Sequence, residues 1–190
     1  MPLPLPVHLQ DEELFLVKEC KRGHASAQKK LYEKYCDLLL MICLRYLDSR
    51  EDAQEVLMDV FLNAFKRIEG FTYAGQGSLS AWLRKITVNQ CLMKLRRQQP
   101  QFRELPEMAQ ENLAGTEDIL AGISSKEILL LIQELPPGYR AVFNLYVFEE
   151  KSHKEIATLL EVSEQTSKSQ LHRARALLQR QILKQQKKGS

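Results

Sequence analysis

The chain has 190 residues and 44% of them are hydrophobic, enough to bury the core of one ordinary domain or of two small ones. The longest apolar run, LLLMICL at 38 to 44, is far too short to span a bilayer, and the amino-terminal MPLPLPVHLQ lacks a basic segment and is broken by Pro2, Pro4 and Pro6, so neither a membrane span nor a secretory signal is expected. The formal net charge of +3 identifies no partner by itself; its uneven distribution along the chain is more informative.

Apolar spacing is helical almost throughout, and no period-two alternation bounded by turn residues argues for a sheet, so an all-α fold is expected. A first helix begins near Asp11, where Asp11, Glu12 and Glu13 suit a positive helix terminus, and fades at Gly23. A second runs from Ala25 to Leu47 and buries Leu31, Tyr35, Leu38, Leu39, Ile42 and Tyr46. Ser49 caps a third, with Asp52 at the third helical position. In it, Ala53, Val56, Leu57, Val60, Phe61, Ala64 and Ile68 make one continuous stripe opposite Glu51, Glu55, Asp59 and Asn63.

GFTYAGQGS, residues 70 to 78, holds three glycines and two aromatics and is read as a loop, after which Ser78 or Ser80 can cap the next helix. That fourth helix covers Leu79 to Arg97, burying Leu79, Leu83 and Ile86, and Pro100 stops it. From Arg84 to Arg103 the chain carries Arg84, Lys85, Lys94, Arg96, Arg97 and Arg103 without an acid. The following stretch, with Glu104, Glu107, Glu111, Glu117 and Asp118 among Pro100, Pro106 and Gly115, is weakly periodic and reads as a linker over 98 to 124. Domains are therefore expected at 11 to 97 and 125 to 187.

In the second domain Ser124 or Ser125 opens a helix over Ile128 to Leu135, ended by PPG at 136 to 138; Tyr139 to Phe148 forms another, Ser152 caps a third, and the last follows Ser163. The final pair has the spacing of a helix-turn-helix, with Ala157 allowing close approach, a turn at Glu161 and Val162 anchoring the corner. Its second helix then presents Gln165, Thr166, Ser169, His172 and Arg173 to base edges or phosphates, with Lys168, Arg175 and Arg180 placed for the DNA backbone. An ordinary helical hairpin with a solvated charged face has the same spacing. Two positions are unusual for the motif. Glu161 carries a Cβ where the turn favours glycine, and Ser167 stands where an apolar residue is usual, so its hydroxyl needs a neighbouring carbonyl.

No enzymatic pattern is visible: His8, His24, His153 and His172 are scattered, and neither H-E-x-x-H nor a phosphate-binding glycine loop with its lysine occurs. Cys20, Cys36, Cys43 and Cys91 lack metal-ligand rhythm and read as reduced cysteines, mostly of the core, in a cytoplasmic protein; no metal or cofactor is expected.

LPPGYRAVFNLYVFEEKSHKEIATLLEVSEQTSKSQLHRARALL, 135 to 178, resembles region 4 of bacterial RNA polymerase sigma factors. LYEKYCDLLLMICLRYLDSREDAQEVLMDVFLNAFKRIEGF with SLSAWLRKITVNQCLMKLRR resembles region 2, and the order without regions 1.1 or 3 is that of the extracytoplasmic-function group. The resemblance implies that core polymerase binds the third helix, at Asp52, Glu55, Met58, Asp59 and Phe61. It implies that the loop from Phe71 to Ser80 captures a base of the non-template strand of the minus-ten element. Phe71 and Tyr73 would stack on bases or plug the core, and Arg84, Lys85, Asn89, Lys94, Arg96 and Arg97 would hold phosphates or base edges. The second helix of the helix-turn-helix, through Gln165, Thr166, Lys168, Ser169, His172, Arg173 and Arg175, would read the minus-thirty-five element as duplex. An anti-sigma factor that covers the polymerase-binding faces is the regulator implied, and the acidic linker would lie near the polymerase cleft.

Overall fold

The computed structural model describes residues 12–98 and 124–188, and every regular element among them is helical. The linker expected at 98 to 124 lies outside the described residues except at its two ends. Described residues within Met1–Cys43 and Glu51–Gln90 make one compact unit, and those within Leu44–Arg50 and Cys91–Ser190 make the other.

Four helices build the amino-terminal part: α1 (Glu12–Lys21), α2 (Ala25–Tyr46), α3 (Arg50–Arg67) and α4 (Ser78–Gln98), with a single 3-10 turn at Ile68–Gly70 between the last two. Gly23, at φ +77°, ends α1: its N–H bonds to the Cys20 carbonyl and the His24 N–H reaches back to Glu19, a double closure that favours a residue without a Cβ. The stripe on α3 is buried as its spacing requires, with Ala53, Val60 and Ala64 fully enclosed and Val56, Leu57 and Phe61 nearly so. Each large side chain in such a stripe contributes about 1.5–3 kcal/mol by leaving water. On α4, Leu79, Leu83 and Ile86 are joined in the interior by Val88, Cys91, Leu92 and Leu95. Thr87, also buried, satisfies its hydroxyl by donating to the Leu83 carbonyl at 2.9 Å.

The carboxy-terminal helices are α5 (Ser125–Gln133), α6 (Pro137–Val147), α7 (His153–Leu160) and α8 (Glu164–Lys188). Ser124, one of the two serines expected to open α5, caps it in a reciprocal box with Glu127, and the helix ends at Gln133, short of the expected Leu135. The PPG run opens α6 as well as ending α5. Pro137 is its first residue, where the missing N–H costs nothing and the fixed φ already suits a helix. Long α8 is the common partner, packing on α5, α6 and α7. Leu131, Ile132, Leu135, Val142, Leu145, Ile156, Leu160, Leu171, Ala174 and Leu178 make up the core beneath it.

Cys20, Cys43 and Cys91 are buried and Cys36 is half-buried, all as free thiols. Burial, and then the neighbouring Glu19 carboxylate, push the Cys20 thiol up to about 11. Among the described residues no helix is long and apolar enough to cross a membrane.

Candidate nucleic-acid and protein interfaces

Helix α7 is set at its start by Ser152, whose Oγ accepts the Glu155 N–H while the Glu155 carboxylate accepts the Ser152 N–H at 2.9 Å. That backbone donor, with help from Lys151 and the Ser152 hydroxyl, holds the Glu155 carboxyl down at about 2. At its other end Glu161 adopts the left-handed conformation, φ 55° and ψ 45°, and both its own N–H and that of Val162 bond to the Ala157 carbonyl. The turn geometry that glycine would favour is thus present with glutamate in it. Ser163 starts α8 by accepting the Thr166 N–H at 2.9 Å.

On α8, Gln165 and Lys168 are exposed, and Thr166, Ser169, His172, Arg173 and Arg175 are half-buried, so all seven residues assigned to the minus-thirty-five element have at least part of their surface open. Two of the hydroxyls also serve the helix: Thr166 Oγ1 lies 2.8 Å from Ser163 Oγ, and Ser169 donates to the Thr166 carbonyl. Ser167 is fully buried, and its hydroxyl meets Nδ1 of His153 at 2.9 Å instead of the carbonyl that the sequence suggests. A carbonyl within one helix can be supplied locally, but only the fold brings α7 and α8 together. The His153 ring stacks on Tyr146 with centroids 4.9 Å apart, and the Arg175 guanidinium lies 5.5 Å over the same tyrosine.

The glycine loop has a different construction from a phosphate cradle. Gly75 and Gly77 take φ +111° and +86°, leaving Gln76 exposed at the apex between them. Neither Ser78 nor Ser80 provides the principal cap of α4. Ser78 is already helical, and its hydroxyl accepts from Ala74 at 3.3 Å. The cap comes from α1. Glu13, only 6% exposed, accepts the Gly77 N–H on Oε2 and the Leu79 N–H on Oε1, each at 2.7 Å. Sequence reasoning sees Glu13 only as a charge suited to the start of α1. No local pattern connects it to a loop more than sixty residues later.

Phe71 is 8% exposed, with its ring centroid 4.9 Å from that of half-buried Trp82, which makes it a plug under the loop. Tyr73 is half-buried and keeps part of its surface open. Beyond the loop, Lys85, Asn89, Arg96 and Arg97 are exposed and Arg84 and Lys94 half-buried. Near-helical spacing places Lys85, Asn89 and Arg96 on one side of α4.

The α3 face combines acid and apolar surface. Glu55, Met58 and Asp59 are exposed and Asp52 half-buried, while Phe61 is only 3% exposed and packs 4.8 Å from the Tyr32 ring. Phe61 therefore supports this face from beneath, a placement that follows from its membership of the buried stripe. The exposed apolar groups are Met58, at 54%, and Leu62, at 53%, with Tyr32 on α2 also open; Leu62 and Tyr32 were not among the residues singled out by sequence. For Leu62 the signal is position: helical spacing puts it opposite the buried stripe, on the side of Glu51, Glu55 and Met58, where a polar side chain is the usual occupant.

A helix-turn-helix with a basic outer face, and a separate glycine loop leading into a second basic helix, define a nucleic-acid-binding protein made of two helical modules. Comparison with known families and proteins agrees. The family profile for Sigma-70 region 2 matches residues 31–101, and that for Sigma-70, region 4 matches residues 125–178. The ECF RNA polymerase sigma factor SigW of Bacillus subtilis (strain 168) is 28% identical over 178 residues, covering 87% of this chain and 94% of that protein. The RNA polymerase sigma-H factor of Pseudomonas aeruginosa is 26% identical over 186 residues, covering 91% and 95%. The ECF RNA polymerase sigma factor SigM of Mycobacterium tuberculosis is 33% identical over 140 residues, covering 72% of this chain and 68% of that one. The chain belongs to the sigma-70 family as an extracytoplasmic-function RNA polymerase sigma factor, a group of transcription initiation factors that are not enzymes.

Proposed function

We propose that this sigma factor acts in the cytoplasm, binding core RNA polymerase through the α3 face and directing it to promoters through two separate readers. Asp52, Glu55, Met58 and Asp59, with Leu62 and Tyr32, offer apolar groups inside an acidic rim, a composition suited to a basic helical partner. The loop from Phe71 to Ser80 takes an extruded non-template base of the minus-ten element, with Tyr73 available for stacking. Arg84, Lys85, Asn89, Lys94, Arg96 and Arg97 follow the strand. Helix α8 enters the major groove of the minus-thirty-five element with Gln165, Thr166, Ser169, His172 and Arg173, flanked by Lys168 and Arg175 for phosphates.

The observation that carries this reading is the presence, on one sigma-family chain, of a helix-turn-helix with a basic outer face and a glycine-aromatic loop leading into a second basic helix. Base extrusion costs a few kcal/mol of stacking, which binding to polymerase and to the second element helps to offset by linking the contacts. Regulation is assigned to an anti-sigma factor that covers the same α3 face, since a protein that hides Met58 and Leu62 removes the polymerase-binding surface at once.

Run-off transcription with core polymerase on a promoter library is the test. The expected result is initiation only when the chain is present, with selection at both elements. A folded chain that supports no initiation, or that binds a duplex operator tightly without polymerase, would overturn the proposal.

A further inference from the structure

Buried carboxylates are costly unless paired or hydrogen-bonded, so a glutamate that is 6% exposed asks what it holds. Glu13 faces the backbone of the glycine loop and fills both carboxylate oxygens with amides, those of Gly77 and Leu79, at 2.7 Å each. These bonds are short and charge-assisted, and they join α1 to the junction between the loop and α4. Tyr35 of α2 reports the same charge: burial first, and then Glu13 and Glu12, push its phenol up to about 12.

Two consequences follow for the loop. The first amides of α4, which would otherwise suit a phosphate, are already occupied by a carboxylate of the same chain. Gly75 and Gly77 both take positive φ with no neighbouring atom within 4 Å of an added Cβ, so packing of neighbours does not hold the loop there, and glycine is a residue with intrinsically wide backbone freedom. In the conformation that the segment adopts, the Gly77 and Leu79 amides both reach Glu13.

We propose that Glu13 is a positioning residue for minus-ten recognition: its carboxylate selects one conformation of the Gly75–Leu79 segment, so that exposed Gln76 and half-buried Tyr73 present a fixed outline to the extruded base. Glu13 touches no DNA and acts through the loop backbone. This rests on the reading of the loop as the site of base capture.

The test uses holoenzyme assembled from the full chain and core polymerase, transcribing a promoter pool randomised across the minus-ten and minus-thirty-five elements. Glu13→Gln keeps the shape but loses the charge and one of the two acceptor oxygens. It is expected to flatten the preference at one minus-ten position by about tenfold, the effect of weakening a charge-assisted bond, while minus-thirty-five preferences and polymerase affinity stay unchanged. Glu13→Asp, whose shorter side chain cannot reach both amides, should behave similarly. Amide hydrogen exchange of Gly77 and Leu79 reads the bonds directly and should accelerate in both variants. An unchanged minus-ten profile, or a uniform loss at both elements together with weaker polymerase binding, overturns the positioning role. If the wild-type chain selects no minus-ten sequence at all, the loop's role in base capture falls, and this inference with it.

Discussion

His153 of α7 and Ser167 of α8 are joined at 2.9 Å across the corner of the helix-turn-helix, with the serine fully buried. A polar pair here ties the two helices at one point and makes their contact directional. Removing the histidine leaves the fully buried Ser167 hydroxyl without its bond, so His153→Ala is expected to cost about 1–2 kcal/mol in denaturant unfolding, whereas Ser167→Ala leaves a half-buried ring that can still meet water and should cost less. Replacing both, as His153→Leu with Ser167→Val, should recover most of that loss. Burial holds His153 below its ordinary value of 6.5; Lys168 and Arg175 act in the same direction and Glu164 opposes them. Its neutral form is therefore favoured in the folded state. The resulting stabilisation is present above 6.5 and declines as pH falls below it, the opposite of a histidine that gains an acidic partner. Melting the wild type at about pH 8 and about pH 5.5 should show this loss, and the double variant should lack it. Equal pH dependence in both proteins would remove His153 as the source.

The capping box of α7 makes a separate acid-sensitive element. Glu155 is held at about 2 against an ordinary 4.5, chiefly by the Ser152 backbone N–H. A depressed carboxyl contributes stability above 4.5 and loses it as pH falls toward about 2. Glu155→Gln should flatten the acid limb of a circular-dichroism titration over that window, whereas Ser152→Ala should lower stability at neutral pH by about 1 kcal/mol. An acid limb unchanged by Glu155→Gln would show that other carboxylates control it.

Much of this architecture is legible in sequence because helix ends are written in local chemistry. Ser124, Ser152 and Ser163 cap the helices they precede, and the α3 stripe is buried where its spacing says. Even the awkward turn at Glu161 is where a missing glycine predicts it, at φ 55°. What sequence leaves hidden depends on distant parts of the chain. Glu13 meets Gly77 across 64 positions, and His153 meets Ser167 only because α7 folds against α8. Packing decides what sequence leaves open for two rings: Phe61 belongs to the buried stripe as its spacing says, and Phe71, readable as a base stack or a core plug, turns inward as well, the two lying against Tyr32 and Trp82. Exposed Leu62 is hidden for a different reason, since nothing in an apolar residue among Glu51, Glu55 and Met58, opposite the buried stripe, says what covers it.

Separate faces should yield separable defects. Met58→Asp with Leu62→Asp places charge on side chains already more than half exposed, so melting should change little while polymerase affinity falls about tenfold or more, as for central interface anchors. Asp52→Ala should weaken the same binding less. Arg173→Ala should instead weaken selection of the minus-thirty-five element by about 1–3 kcal/mol and spare polymerase binding. Affinity titrations with core polymerase and with upstream duplex would expose a wrong assignment if the two defects were exchanged.

If the loop captures a base as proposed, Phe71 and Tyr73, two residues apart, should divide support from recognition. Phe71 is 8% exposed against Trp82, and its truncation to alanine opens a cavity beneath the loop, expected to cost about 3 kcal/mol. Minus-ten binding then falls because the loop loses its floor. Tyr73 is half-buried, and Tyr73→Ala should leave the melting temperature nearly unchanged while weakening binding of a minus-ten non-template oligonucleotide to holoenzyme by about 1 kcal/mol, the lower end of base–aromatic stacking. Tyr73→Phe, which keeps the ring, should bind nearly as well as wild type. Paired melting curves and oligonucleotide titrations separate the two roles. If Tyr73→Ala unfolds the chain, or Phe71→Ala weakens binding with no loss of stability, the ring that meets the base is Phe71 and the loop must open to expose it.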